Sequence, residues 1–167
     1  MKDKKVRKLV FSALLAALVT AATMVVKIPS PTNGYVNLGD CFVLLSGWLL
    51  GPWYGGAAAG IGAMLSDLLS GYAYYAPATL LIKGLDAVLA ALLYRALSNR
   101  RVALPLSGIA GELLMTAGYF GYSALLLGKG LAAALSIPGN LIQGGIGIVV
   151  AALLMQVAKR AHLTEKL

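Results

Sequence analysis

Six apolar runs, Leu9–Val26, Cys41–Leu50, Gly55–Leu69, Ala76–Leu97, Val102–Leu127 and Ile137–Ala158, occupy most of this 167-residue chain and leave little scope for a water-soluble fold. A hydrocarbon layer about 30 Å thick takes about 20 apolar residues in a helix, which satisfies every backbone N–H and C=O within the segment. The first run and the last three reach that length. The second and third are short and separated by Gly51-Pro52, so they read either as one kinked helix or as two short ones. Charged residues are 12% of the chain, against roughly a quarter in a soluble domain. The length, with no Ser- or Pro-rich linker, predicts one membrane domain over 1–167. Cys41 is the only cysteine and His162, the only histidine, lies in a polar tail, so the sequence predicts no disulfide framework, no metal site and no cofactor. The first run has the basic start of a signal peptide, but it is long and no small-residue cleavage site follows, so it is read as a retained helix.

Charge decides between five spans and six. With six spans and a cytoplasmic N-terminus, eleven of the 14 basic residues fall inside: Lys2, Lys4, Lys5, Arg7, Lys8, Arg95, Arg100, Arg101, Lys159, Arg160 and Lys166. Merging the middle runs would send the Arg95–Arg101 cluster and the C-terminal basic residues outside, against the positive-inside tendency. The fold class is therefore all-α, an integral membrane bundle of six transmembrane helices with N- and C-termini cytoplasmic. The same distribution explains the net charge of +8 without nucleic acid, because the basic residues sit at span ends and form no interleaved patch. Trp48, Trp53 and Tyr54 flank the Gly51-Pro52 turn as interfacial anchors would.

Twenty glycines and many alanines suit close helix packing, which in lipid depends on backbones approaching at small residues. Gly56-x-x-x-Gly60 is one such pair. Ala13, Ala17 and Ala21, with Ala16 beside them, form a small-residue stripe on the first helix. It is either a product of alanine-rich composition or a surface that docks a second membrane protein.

Asp40, Asp67, Lys83, Asp86 and Glu112 need explaining, because a charge in hydrocarbon costs several kcal/mol and turns toward the protein interior. Lys83 and Asp86 are three apart on one helix and are placed to pair locally. Asp40 and Asp67 lie at outer span ends, Asp40 as a potential N-cap. Glu112 lies within span five with no local partner. The loops on the outer side supply a complementary pattern. Ile28–Gly39 is turn-rich, with Pro29, Pro31, Asn33 and Gly34; Ser70–Tyr75 holds Tyr72, Tyr74 and Tyr75; Gly128–Ser136 precedes Pro138-Gly139-Asn140. Each tyrosine alone reads as a belt residue. Together, beside a helix starting at Pro77, they read as a lid over a site. Asn140 and Gln143, with Tyr119 and Tyr122, outline a small aromatic pocket in which a few polar groups orient a ligand.

The stretches Gly34-Tyr-Val-Asn-Leu-Gly-Asp40, Leu50-Gly-Pro-Trp-Tyr-Gly55, Ser66-Asp-Leu-Leu-Ser-Gly-Tyr72, Tyr75-Ala-Pro-Ala-Thr79 and Ile82-Lys-Gly84 resemble the S components of energy-coupling-factor (ECF) vitamin transporters. Within that family the chain is similar to the subgroup for hydroxymethylpyrimidine, pyridoxine or riboflavin. The resemblance implies a multi-pass protein of a prokaryotic cell membrane that captures a vitamin on its outer side. It implies partners as well: a membrane scaffold (T) subunit, docked through Ala13, Ala17 and Ala21, and two cytoplasmic ATPases. The chain has no Gly-x-x-x-x-Gly-Lys-Ser/Thr loop, so ATP hydrolysis falls to a partner and this subunit is no enzyme. The substrate-binding residues expected are Asn37, Asp40, Asp67, Tyr72, Tyr74, Tyr75, Lys83, Glu112, Tyr119, Asn140 and Gln143. Gln143 is neutral where the resemblance places a lysine in riboflavin-binding members. That favours a single-ring ligand, pyridoxine or hydroxymethylpyrimidine, over riboflavin. Against this stands a self-sufficient secondary transporter with Asp67, Lys83, Asp86 and Glu112 as an ion or proton relay, although no internal repeat marks one. A membrane enzyme would need a convergent nucleophile and base or a metal cluster, and the sequence offers neither.

Overall fold

The computed structural model describes residues 2–29, 35–97 and 102–166. Pro31, Asn33, Gly34, Arg100 and Arg101 lie outside the described residues. Among the described residues there are six helices of 11 residues or more, α1 (Lys2–Val25), α2 (Asp40–Leu50), α3 (Pro52–Leu69), α4 (Ala76–Ala96), α5 (Ala103–Gly121) and α6 (Ile137–Arg160), followed by a single turn, α7 (Leu163–Lys166). Lys4–Val25, Ala76–Ala96 and Gly130–Arg160 are each long and apolar enough to cross a membrane by themselves.

The Gly51-Pro52 ambiguity resolves into two helices joined by one residue. Gly51 is at once the C-cap of α2 and the N-cap of α3, with φ +83°. That left-handed value is open to glycine at little cost, and a Cβ there would run into the Arg95 guanidinium. Pro52 then occupies the first turn of α3, where its missing N–H costs nothing.

α2 is the central element. It touches α1, α3, α4 and α6, while α1, α3, α4, α5 and α6 follow one another around it. Nine of its 11 residues are buried, among them Leu44, Leu45 and Trp48, which share a cluster with Leu15, Ala151 and Met155. Trp48 corrects the expectation of an interfacial anchor: its indole N–H turns inward to Ser107 Oγ at 3.1 Å. Trp53 is the one that faces out, at 82% exposure. Glycines set the helix spacing. A Cβ on Gly56 would come within 3.1 Å of the Gly84 carbonyl, and one on Gly60 within 3.4 Å of Gly84 Cα, so α3 and α4 meet backbone to backbone.

One departure from a purely helical chain lies between α1 and α2. Lys27–Pro29 (β1) and Tyr35–Asn37 (β2) form a short antiparallel pair, with Ile28 opposite Val36. α5 is also shorter than the apolar run Val102–Leu127 implied. It ends at Gly121 and continues as a π-helical turn, Tyr122–Leu126, before the 3-10 helix Gly130–Ser136.

Lys8, Arg95 and Lys159 mark one end of the bundle. Lys8 Nζ lies 5.9 Å from the Tyr54 ring, Lys159 Nζ lies 5.5 Å from the Tyr94 ring, and Arg95 packs at Gly51. The β-pair, the Ser70–Tyr75 turn and the α5–α6 connection lie at the opposite end, around a cavity.

Candidate functional site

Every long helix contributes to that cavity: Thr23 on α1, Asp40 on α2, Ser66 and Asp67 on α3, Thr79 and Lys83 on α4, Tyr119 on α5, and Asn140 and Gln143 on α6. The cavity has a volume of about 70 Å³. That is room for a handful of waters or one small ring.

At its floor the Lys83 ammonium pairs with Asp40 Oδ1, and both side chains are almost fully buried. The expected local pair of Lys83 with Asp86 is thereby corrected. Residues three apart are separated by about 60° around a helix, so Lys83 turns toward α2 while Asp86 packs against Gly111 of α5. Asp40 is not the N-cap either. Gly39 holds that position, its carbonyl accepting from the backbone N–H of Phe42 and of Val43, and Asp40 is the first helical residue. Its second carboxylate oxygen accepts from Gln143 Nε2 at 2.6 Å. Gln143 Oε1 in turn accepts from the Asn37 backbone N–H at 2.7 Å and from Asn37 Nδ2 at 3.3 Å. One buried amide thus ties β2, α2 and α6 together, and the fit is close, since a Cβ on Gly147 would come within 2.9 Å of Asp40 Cβ.

A second chain of hydrogen bonds crosses the opposite wall. Tyr119 OH donates to Thr79 Oγ1 at 3.1 Å, and Thr79 donates to Asp67 Oδ2 at 2.5 Å. Asp67, placed by the sequence at an outer span end, is buried. Lys83 Nζ stands 5.7 Å from the Tyr119 ring centroid, so the ammonium is shared between a carboxylate and a π-face. Above this lies an aromatic wall. Tyr75 meets Tyr119 edge-on at 6.3 Å between centroids and packs against Tyr74 at 4.9 Å and Tyr122 at 5.6 Å. Tyr75 OH is 2.9 Å from Ser123 Oγ.

Of the residues singled out in the sequence, Asn37, Asp40, Asp67, Tyr72, Tyr75, Lys83, Tyr119, Asn140 and Gln143 line the cavity. Tyr74, Tyr122 and Glu112 do not. Tyr74 is 46% exposed and supports Tyr75 from behind, its carbonyl accepting from Tyr122 OH. Glu112 is buried against Gly144 of α6, below the cavity, and its carboxylate has no hydrogen-bond partner among the described residues. The sequence reading missed Thr23, Ser66, Thr79, Ser123 and Ser136, which also line the cavity. Thr79 was traceable, being one turn before Lys83 on the same helix face; the isolated serines carried no such signal.

On the flank of the bundle, Ala13, Ala17 and Ala21 are exposed. Ala13 and Ala17 border an open apolar groove whose other side is Trp53, Ala57, Ile61 and Leu65 of α3. Ala16 lies deeper, where a Cβ on Gly62 would meet its carbonyl.

A family model described as ECF-type riboflavin transporter, S component, matches residues 3–160. The chain belongs to that family. This S component is thus a subunit of a vitamin-type transporter and no enzyme, and its family is membrane-embedded. It is 36% identical over 140 residues to an uncharacterized protein of Pyrococcus woesei, covering 79% of this chain and 93% of the relative. To the thiamine precursor transporter HmpT of Lactococcus lactis subsp. cremoris it is 28% identical over 165 residues, covering 98% and 94%. Its fold matches the solved S component of a bacterial ECF transporter with a TM-score of 0.65 at 22% identity, covering 94% of this chain and 98% of that one.

Proposed function

We propose that this S component captures a single-ring vitamin precursor of the aminopyrimidine type, hydroxymethylpyrimidine ahead of pyridoxine. The observation that carries the reading is the cavity itself: small, walled by Tyr75 and Tyr119, and lined by two carboxylates against one ammonium. A flat heterocycle stacks against the tyrosines, and its amino and hydroxymethyl groups donate to the carboxylates or pair with the Asn140 amide. The name of the Lactococcus relative, a thiamine precursor transporter, supports the same ligand class. Gln143, neutral where riboflavin-binding members are expected to carry a lysine, weighs against riboflavin. Native mass spectrometry of the purified chain with hydroxymethylpyrimidine, pyridoxine and riboflavin in competition tests this. Retention of hydroxymethylpyrimidine is the expected result; retention of riboflavin with neither single-ring compound bound overturns the reading.

The proposal extends to topology and partners. Six spans put the basic end in the cytoplasm of a prokaryotic cell and open the cavity outward, in keeping with the positive-inside rule. The groove beside Ala13 and Ala17 takes a helix of the T subunit, which joins two ATPases to complete the importer. Small residues let a partner backbone approach closely, so Ala17→Leu is expected to abolish co-purification with a T subunit. The same variant keeps ligand binding, because its side chain lies outside the cavity. Undiminished co-purification of Ala17→Leu would place the docking surface elsewhere.

A further inference from the structure

We propose that Tyr122–Ser136, the connection from α5 to α6, is a lipid-seated flap: its inner face forms a wall of the cavity, while its leucines lie among the acyl chains of the leaflet on that side. The proposal rests on the membrane setting of the family and is independent of which vitamin is bound.

The two faces of the segment differ sharply. Ser123 and Ala133 are buried, and Ser123 and Ser136 line the cavity. Lys129 reaches inward, its Nζ donating to Tyr75 OH at 3.3 Å and standing 5.6 Å from the Tyr75 ring centroid. On the other face Leu125, Leu126, Leu131 and Leu135 are 82%, 75%, 88% and 64% exposed. Four large aliphatic side chains projecting this far into water would forfeit nearly all their transfer free energy.

Length argues the same way. α6 has 24 residues, about 36 Å at about 1.5 Å each, and therefore crosses the hydrocarbon unaided. Yet the apolar stretch runs on to 31 residues, Gly130–Arg160. The 3-10 helix that makes up the excess would add about 14 Å at about 2 Å per residue. It carries Leu131 and Leu135 one helical face apart from buried Ala133, an arrangement for lying along an interface with one side in lipid. Leu141, Ile142 and Ile146, in the first turns of α6, are exposed as well. Gly128 and Gly130 bracket Lys129 with φ +67° and +52°. A Cβ at either would meet nothing within 4 Å, so the backbone conformation, and not crowding, calls for glycine there. This double reversal turns Lys129 toward Tyr75 and the flanking leucines away from it.

The test uses the full chain in phosphatidylcholine–phosphatidylglycerol vesicles, with a nitroxide on single variants Leu125→Cys, Leu131→Cys and Leu135→Cys. Cys41 is buried, so the parent chain measures background labelling, and Cys41→Ala removes it if any is found. Collision with oxygen should exceed collision with a water-soluble nickel chelate at all three sites, and Ala73→Cys in the exposed tyrosine turn should show the reverse. Chelate collision dominating at 131 and 135 would mean that the segment stands in water. Low collision with both reagents would mean that protein covers it, and either outcome overturns the proposal. Quenching of Leu131→Trp by brominated acyl chains, beyond that of the parent, gives a second reading should the labelled variants fail to insert.

Discussion

Lys83→Met is expected to lower the stability of the bundle by about 3–5 kcal/mol, the range found when one partner of a buried ion pair is removed and its counter-charge is left uncompensated. The geometry makes the pair unusually dependent on itself. Asp40 and Lys83 are almost fully buried, and water has little access to replace either partner. Asp40→Asn should be destabilising for the same reason, leaving the ammonium without its carboxylate. The double variant Asp40→Asn/Lys83→Met should recover most of the loss, because neither side chain then leaves an uncompensated buried charge. It should still fail to bind ligand, having lost two of the cavity's polar groups. Unfolding followed in detergent or in nanodiscs checks this. A double variant no more stable than the two singles would show that the ion pair is not what the singles disrupt.

Gln143→Leu is expected to weaken binding of hydroxymethylpyrimidine by about 100-fold, equivalent to about 2.7 kcal/mol. Leucine is similar in size but offers nothing to Asp40 or to Asn37. A hydrogen bond to a charged group contributes roughly 1.5–3 kcal/mol and a neutral one about 1, so losing the contacts at both ends of this amide accounts for the effect. Calorimetry on the variant tests it. Hydrogen exchange gives a reading that needs no ligand, since the Asn37 amide donates to Gln143 Oε1 and should exchange faster once that acceptor is gone. Unchanged protection at Asn37 would mean that the β-pair holds its place without Gln143.

The parts of this molecule that read clearly in the sequence are those governed by local rules. Apolar run length located the helices, and charge placement chose two helices over one kinked helix at Gly51-Pro52, where the αL cap and the N1 proline are chain-local demands. Residue type brought most of the cavity lining to notice, since polar groups in apolar runs are rare enough to stand out. Pairing did not read correctly. Lys83 and Asp86 are neighbours in sequence, but the actual partner of Lys83 is 43 residues away, fixed by how α2 and α4 pack. Glu112 stood out as strongly as Asp40, yet its position just below the cavity depends on the rotation of α5, which an apolar helix with few polar markers does not declare. Trp48 misled for a similar reason: an aromatic residue at a helix end suits an interface equally well as a core, and only the presence of Ser107 opposite its indole N–H decides.

The brevity of α2 explains where the cavity is. Its 11 residues rise about 16 Å and those of α6 about 36 Å, at about 1.5 Å per residue. About 20 Å of height, under four turns at about 5.4 Å each, is missing above Asp40 in the middle of the ring, and the β-pair closes only the top of that gap. The cavity is the unbuilt part of a helix, so on the proposed topology whatever binds there sits at the depth of the acyl chains and not above the headgroups.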